Sequence, residues 1–209
     1  LELREEGLGL NEIGVLYRAT YHGNYIQAEL VKRNIPYVVV GGIKFVERKH
    51  VRDVIACLRI ALNPYDAVSW HRILKMLHGI GDVTAKKIIT TIHRYNGQFN
   101  FSEYSGKIFY EDLVKLKVVV EKISDTNSKL PNKIEIVRAY YAPILKSQES
   151  DYEIRLLDID FLYNLGTKYD DLEKFLTDFA LEPPSNKFQN HSEPLVDETE
   201  DKPLTLSTV

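Results

Sequence analysis

The sequence predicts an α/β plus α fold, in which a partial parallel α/β unit is interrupted by a mostly helical insert. Runs of strand composition occur near the two ends of the chain, as I-G-V-L-Y-R, Y-V-V-V and L-T-L-S-T-V. From about residue 65 to residue 180 the apolar residues instead follow a helical period. A terminal strand needs a sheet to join, so we expect residues 204–209 to return to the sheet that the first strands begin.

The first 64 residues read as strand, helix, strand and helix. A short strand at 13–18 is followed by a helix over about 23–33, and a second strand at 37–40 stops at two glycines. The next helix carries one apolar stripe over 51–62 and is closed by Pro64. This alternation is typical of a parallel sheet covered by helices.

The middle of the chain is predicted to be helical. Asp66 is suited to cap a helix that runs to Leu77, and Asp82 a second one to about Arg94. Further helices are expected at about 110–124, 132–148, 151–165 and 169–180. The last two are expected to pack as an antiparallel pair, with Ile154, Leu157, Phe161 and Leu165 on the inner face of the first. The proline-rich, acidic segment that follows, 183–203, reads as a linker.

Length and composition restrict the class of protein. A chain of 209 residues with 44% hydrophobic residues can form one or two globular domains. No apolar run approaches the roughly 20 residues that a membrane helix needs, so no membrane partner is expected. The chain starts at Leu1 without a signal-peptide pattern and reads as a piece of a longer protein. The single cysteine, Cys57, favours a reducing, cytoplasmic compartment.

The net charge of −3 hides an uneven distribution. Residues 70–97 contain five Lys or Arg residues against one acidic residue, whereas residues 146–182 contain four against ten. A polyanion would be attracted to the first segment and repelled by the second.

The strongest binding signal is the stretch L-H-G-I-G-D-V-T-A-K-K at 77–87. Two glycines between predicted helices let the backbone approach a ligand, and the new helix adds its positive N-terminal end. The candidate phosphate contacts are Gly79, Ile80, Gly81, Thr84, Lys86 and Lys87. Alternatively, the glycines only end one helix and permit a tight turn, and the lysines are solvated. Glycine spacing alone leaves both interpretations open.

A second basic cluster follows the strand at 37–40, where ligands often collect in open α/β sheets. Its members are Lys44, Arg48 and Arg52. The alternative is a solvated helix start in which Glu47 and Asp53 pair with these cations. Phe45 between them is predicted to belong to the core.

No catalytic or metal-binding set is recognisable. The chain has no G-x-x-x-x-G-K-[ST] loop, and its six histidines are scattered without paired spacing. We therefore predict no bound cofactor and no ATP turnover by this chain alone.

One block identifies a family. The pattern G-G-x-x-F-x-E-R-K-x-x-x-D-x-x-x-x-L-R-x-x-x-N-P at 41–64 resembles the second RecA-like domain of UvrD/Rep-type superfamily 1 DNA helicases. The similarity extends to residues 13–18, to 78–82 and to 172–181, and it thins out between about 91 and 150.

The resemblance implies a domain plan. Residues 1–64 would begin the second RecA-like (2A) domain, 65–182 would form its helical 2B insert, and 204–209 would return as the strand before helicase motif V. The glycine-containing turn would be a helix-hairpin-helix element that contacts duplex DNA.

The resemblance also implies a function. The parent would be an ATP-dependent 3′ to 5′ DNA helicase that uses ATP and Mg²⁺, and this part would contact a single-stranded and duplex DNA junction and the rest of the helicase chain. Lys44, Arg48 and Arg52, together with Asn63, would lie near the single-stranded DNA track, whereas Arg18 matches a family arginine without an assignable role. The alternative is a stand-alone helical module that binds DNA or protein without catalysis.

Overall fold

The computed structural model describes residues 2–18, 20–40, 44–95, 97, 100–180 and 203–208. The chain divides into two compact units. We call Leu1–Arg48 with Asp178–Val209 the α/β unit, and Lys49–Thr177 the helical unit. The domain boundaries predicted from the sequence lie after residues 64 and 182. The assignment of residues 65–182 to a 2B insert stays a prediction. The predicted linker, except for its last residue, lies outside the described residues.

The α/β unit contains a three-stranded parallel sheet. Its elements are α1 (Glu2–Glu5), β1 (Gly14–Tyr17), α2 (Thr20–Lys32), β2 (Tyr37–Val40) and β3 (Leu204–Thr208). The strand order is β1-β3-β2, so the last strand of the chain lies in the centre. Leu206 pairs with Val15 on one side and Val39 on the other, and its side chain is fully buried. The predicted return of the last strand to the sheet is therefore confirmed.

Helix α2 begins three residues before the predicted start at Gly23. Gly23 lies inside the helix, where a Cβ atom would come within 2.6 Å of the Tyr17 ring. The glycine therefore permits close packing of α2 against β1 and does not mark a helix start.

Phe45 belongs to the core of the α/β unit, as predicted. It begins a short 3-10 turn, Phe45–Glu47, and its side chain is fully buried. Its backbone N–H donates to Oε1 of the buried Gln27 at 2.7 Å, which ties this turn to α2.

The helical unit is built around a central helix, α3. Its helices are α3 (Lys49–Leu62), α4 (Ala67–Leu74), α5 (Asp82–Arg94), α6 (Tyr110–Ser124), α7 (Leu130–Gln148) and α8 (Tyr152–Gly166), and α9 spans Leu172–Ala180. Helix α3 packs against α4, α6, α7 and α8. Asp66 caps α4 as predicted, because its carboxylate accepts the Ser69 N–H at 3.0 Å, but α4 ends at Leu74 and not at Leu77.

A buried carboxylate joins three of these helices. Asp53 of α3 accepts hydrogen bonds from Arg72 Nε of α4 at 2.6 Å and from Tyr141 Oη of α7 at 2.5 Å. Burial and the neighbouring Asp53 carboxylate raise the pKa of Tyr141. Asp53 is thus a core residue of the helical unit, which removes it from the alternative interpretation in which it pairs with the basic cluster at a solvated helix start.

Helix α8 is rotated relative to the prediction. Ile154 and Leu157, expected on its inner face, are 66% and 65% exposed, whereas Ile159 and Leu162 are fully buried. The helix packs against α7 and α3, with Asp158 paired to His50 of α3 at 2.7 Å. Phe161 and Leu165 are buried as predicted, so the stripe holds in the second half of the helix, whereas in the first half Asp158, hydrogen-bonded to His50, lies on the inner face instead of Leu157.

Candidate nucleic-acid interface

The turn between α4 and α5 requires one of its two glycines. Gly79 has a φ of +82°, and a Cβ atom there would lie 2.7 Å from Ile108 Cγ2. Ile80 is buried, and its N–H donates to the Leu77 carbonyl at 3.3 Å. The structure therefore uses Gly79 and Ile80 to shape and anchor the turn, and the Ile80 amide is already bonded within it.

Gly81 differs, because the fold does not require a glycine there. Its φ and ψ are −93° and 179°, an extended conformation open to any residue, and a Cβ atom would meet nothing within 4 Å. Gly81, not Asp82 as predicted, is the N-cap of α5. The amides of the first turn, as far as Thr84, have no intrahelical acceptor and point along the positive end of the helix dipole. Without a side chain, Gly81 leaves these amides accessible.

Asp82 places a negative charge at the start of α5. Its exposed carboxylate lies 3.1 Å from Lys75 Nζ and 3.2 Å from His71 Nε2. The hydrogen bond from Lys75, with its charge and a smaller effect of His71, holds the pKa of Asp82 below its usual range. These partners offset the acidic group, so attraction of an anion to this turn depends on the cations that follow along α5.

Those cations line a surface groove that we call the α5 groove. It has a volume of about 540 Å³ and is lined by Val83, Lys86, Lys87, Thr90, Thr91, Arg94, Glu103, Tyr104 and Lys107. Lys86 and Lys87 are both exposed. The one carboxylate of the lining, Glu103, accepts a hydrogen bond from Thr91 Oγ1 at 2.6 Å, which lowers the pKa of Glu103. Four cations against one carboxylate make the groove basic.

Two of these cations, Arg94 and Lys107, are not among the predicted contacts. Arg94 lies seven residues after Lys87, two helical turns along nearly the same face, so helical periodicity could have identified it. Lys107 reaches the groove because the loop before α6 folds back on α5. No local pattern in the sequence indicates that return.

The second predicted cluster falls on both units. In the α/β unit, Lys44 Nζ lies 5.1 Å from the centre of the Tyr37 ring, and the Arg48 guanidinium lies 5.5 Å from the centre of the Phe45 ring. In the helical unit, Arg52 is exposed on α3, and Asn63 Oδ1 accepts the Tyr65 N–H at 3.0 Å. Asn63 therefore has a structural role in the turn after α3.

Within the described ranges, no group of three or more His, Cys, Asp or Glu side chains could hold a metal ion. None of the helices in those ranges is long and apolar enough to cross a bilayer.

Comparison with known families defines the class of protein. The family of UvrD-like helicase C-terminal domains matches residues 1–193, and the chain belongs to this family. A "Probable DNA helicase II homolog" of Mycoplasma capricolum subsp. capricolum is 30% identical over 185 residues, covering 85% of this chain and 25% of the relative. The "ATP-dependent DNA helicase PcrA" of Bacillus subtilis is 31% identical over 193 residues, covering 82% of this chain and 26% of the relative.

Similarity is higher over a shorter stretch. The "ATP-dependent DNA helicase UvrD1" of Mycobacterium tuberculosis is 47% identical over 73 residues, covering 34% of this chain and 10% of the relative. The chain thus spans about a quarter of the length of the curated relatives that it matches over most of its own length.

Proposed function

We propose that the chain is the DNA-contacting part of an ATP-dependent DNA helicase, with the α5 groove and the turn before it holding duplex DNA. Residues 1–64 and 204–209 would belong to the second RecA-like (2A) domain, and residues 65–182 to its 2B insert with a helix-hairpin-helix turn. The parent would bind ATP and Mg²⁺ elsewhere, move 3′ to 5′ on single-stranded DNA and act in the cytoplasm. Membership of the helicase family and the basic groove support this assignment.

The observation that carries the proposal is the contrast between the two glycines. Gly79 is explained by backbone conformation and packing, whereas Gly81 has an ordinary conformation and free space around it. A missing side chain that the fold does not need is expected where a ligand must approach the backbone closely. The ligand would lie at the start of α5, directly before Lys86 and Lys87.

The charges of the groove determine which ligand fits. Amides of the first turn of α5 would donate to one phosphate, and Lys86 and Lys87 would reach the next. Arg94 and Lys107 extend the basic surface further along the same groove. Contacts of this kind hold the DNA backbone without reading its sequence, and they weaken as salt releases counterions.

The test is duplex binding by two variants, measured by fluorescence anisotropy at low salt. Gly81→Val adds a side chain at the proposed point of approach, and Lys86→Glu with Lys87→Glu reverses the charge beside it. Both should weaken binding at least tenfold. As a matched control, Lys168→Glu with Lys174→Glu makes the same change in net charge at residues outside the groove, and it should have a much smaller effect.

Folding must be intact for this comparison. A double charge reversal at exposed lysines should change the free energy of unfolding by less than about 1 kcal/mol. If both groove variants remain folded and bind duplex DNA as the unmodified chain does, the turn is only structural.

We also propose that Lys44, Arg48, Arg52 and Asn63 contribute to the single-stranded DNA track. The positions of Lys44 and Arg48 against aromatic rings limit how far these side chains extend, so Arg52 is the member best exposed for a phosphate contact. An Arg52→Glu variant should lose affinity for single-stranded DNA and keep its affinity for a blunt duplex. Equal losses on both substrates would contradict this assignment.

A further inference from the structure

The helical unit contains a second groove, distinct from the α5 groove. It lies between α6 and α7, reaches the turn after α4, and has a volume of about 1150 Å³. Its floor is apolar and is formed by Val114, Val118, Ile136, Ala139, Pro143 and Ile144. Val114 and Val118, one turn apart on α6, are 39% and 42% exposed. Apolar side chains that line an open groove together indicate a surface for a partner.

Helix α7 adds to this floor a carbonyl that lacks its usual helical donor. Pro143 lies inside α7 and has no N–H to donate to the carbonyl of Ala139, four residues earlier. Both residues are exposed and both line the groove. A polar donor of a bound partner would satisfy that carbonyl.

The rim of the groove is basic. It carries Lys75, Lys115 and Lys122 against one lining carboxylate, Asp112; Lys75 is paired with Asp82 at 3.1 Å and Lys115 with Asp112 at 3.0 Å. Lys122 is exposed and forms no ion pair with any residue that the structure describes. An apolar floor disfavours a nucleic-acid backbone, whereas an apolar floor with a basic rim complements a helix with an apolar stripe and acidic flanks.

The dimensions of the groove agree with such an occupant. Its lining runs from Ile136 to Gln148 on α7, about 18 Å at 1.5 Å per residue. That length accommodates about three turns of a third helix laid along α6 and α7.

We propose that this groove docks an amphipathic helix of a partner protein, about three turns long, with Asp or Glu beside its apolar stripe. The partner would bind through the apolar floor and be selected by the lysines of the rim. The site is separate from the α5 groove, because the two share no lining residue.

The test uses a labelled 16-residue helical peptide with leucines at i, i+3, i+4 and i+7 and glutamates beside them. A matched peptide has lysines in place of the glutamates. Binding to the 209-residue chain and to the complete gene product is measured by fluorescence anisotropy. The acidic peptide should bind at least tenfold more tightly than the basic one, and to both proteins alike.

Variants locate the binding surface. Val118→Glu should weaken the acidic peptide at least tenfold, whereas Val68→Glu, at a 79% exposed valine outside the groove, should leave it unchanged. Lys122→Glu should reduce the ratio of the affinity for the acidic peptide to the affinity for the basic one. Because all three positions are on the surface, circular dichroism should show unchanged helix content.

Five results would overturn the proposal. Equal affinities of the two peptides would contradict selection by the rim lysines. Binding that Val118→Glu does not weaken would show that the peptide does not lie in the groove. Binding to the chain but not to the complete gene product would mean that another part of the parent fills the groove. If DNA displaces the acidic peptide from the unmodified chain and also from the Lys86→Glu, Lys87→Glu variant, the DNA binds in this groove, and the groove is a nucleic-acid site. Self-association abolished by Val118→Glu would make the occupant a second copy of the chain.

Discussion

Alanine at Gly79 should destabilise the helical unit, whereas alanine at Gly81 should not. At a φ of +82° a residue with a Cβ atom is strained by about 1–2 kcal/mol. The new Cβ atom would also lie 2.7 Å from Ile108 Cγ2, but Ile108 is 75% exposed and can move, so this contact should cost at the lower end of about 1–3 kcal/mol. The expected total is roughly 2–3 kcal/mol.

Two small effects oppose each other at Gly81. Alanine restricts the unfolded chain and stabilises by about 0.4–1 kcal/mol, but it is a poorer N-cap than glycine by about half a kcal/mol. The free energy of unfolding should therefore change by less than about 0.5 kcal/mol.

Urea unfolding followed by tryptophan fluorescence measures both changes. The single tryptophan, Trp70, is fully buried in the helical unit and donates to the Pro64 carbonyl at 2.8 Å, so its emission reports the unfolding of that unit. The midpoint should fall for Gly79→Ala with an unchanged slope and stay nearly constant for Gly81→Ala. Equal shifts for the two variants would refute the different roles assigned to the glycines.

Three other predictions concern individual side chains. Asp53→Ala leaves the buried Tyr141 hydroxyl and the partly exposed Arg72 guanidinium without this acceptor and should cost about 3 kcal/mol in urea unfolding, against less than about 1 kcal/mol for Asp160→Ala at a half-exposed ion pair; similar losses would contradict the network. Tyr140→Phe removes a buried hydroxyl that has no partner among the described residues, so stability should stay unchanged or rise by about 1 kcal/mol; a clear loss would reveal a missed hydrogen bond. The pKa of the Asp82 carboxyl should lie below the usual range of an aspartate in an NMR titration, and Lys75→Met should raise it. Because the pKa of Asp82 is lower in the folded than in the unfolded chain, its ionised carboxylate stabilises the fold at pH values above the unfolded pKa, and this stabilisation is lost as the pH falls through the folded pKa. An unchanged Asp82 titration in Lys75→Met would exclude Lys75 as the cause.

Local pattern predicts much of this fold. The apolar period places a helix at 110–124, where α6 lies, and β-branched composition places β2 at 37–40. The return of the last strand to the sheet also follows, because a short apolar strand must find a sheet, but its central position does not. The helix and β2 depend on neighbouring residues, and the return of the last strand depends only on its need for a sheet to pair with.

Features that depend on contacts between distant residues are not predictable in the same way. The local sequence predicts a helix start at Gly23, and only the packing of the Tyr17 ring against this residue explains why a glycine is needed there. Asp158 is buried where it bonds to His50, and the two residues are 108 apart in the chain. Lys107 likewise joins the α5 groove only through the path of a loop. The turn and its lysines could be predicted as a candidate site, but not the extent of the groove.

The dependence of duplex binding on salt tests the central claim most directly. If the four cations of the α5 groove each contact a phosphate, the logarithm of the binding constant should fall with the logarithm of salt concentration with a slope of roughly −3 to −4 from these contacts. Replacing Lys86 or Lys107 by methionine should reduce that slope by about 1 each, whereas Lys174→Met should leave it unchanged. Equal slopes for all three variants and the unmodified chain would show that duplex DNA does not lie in the groove.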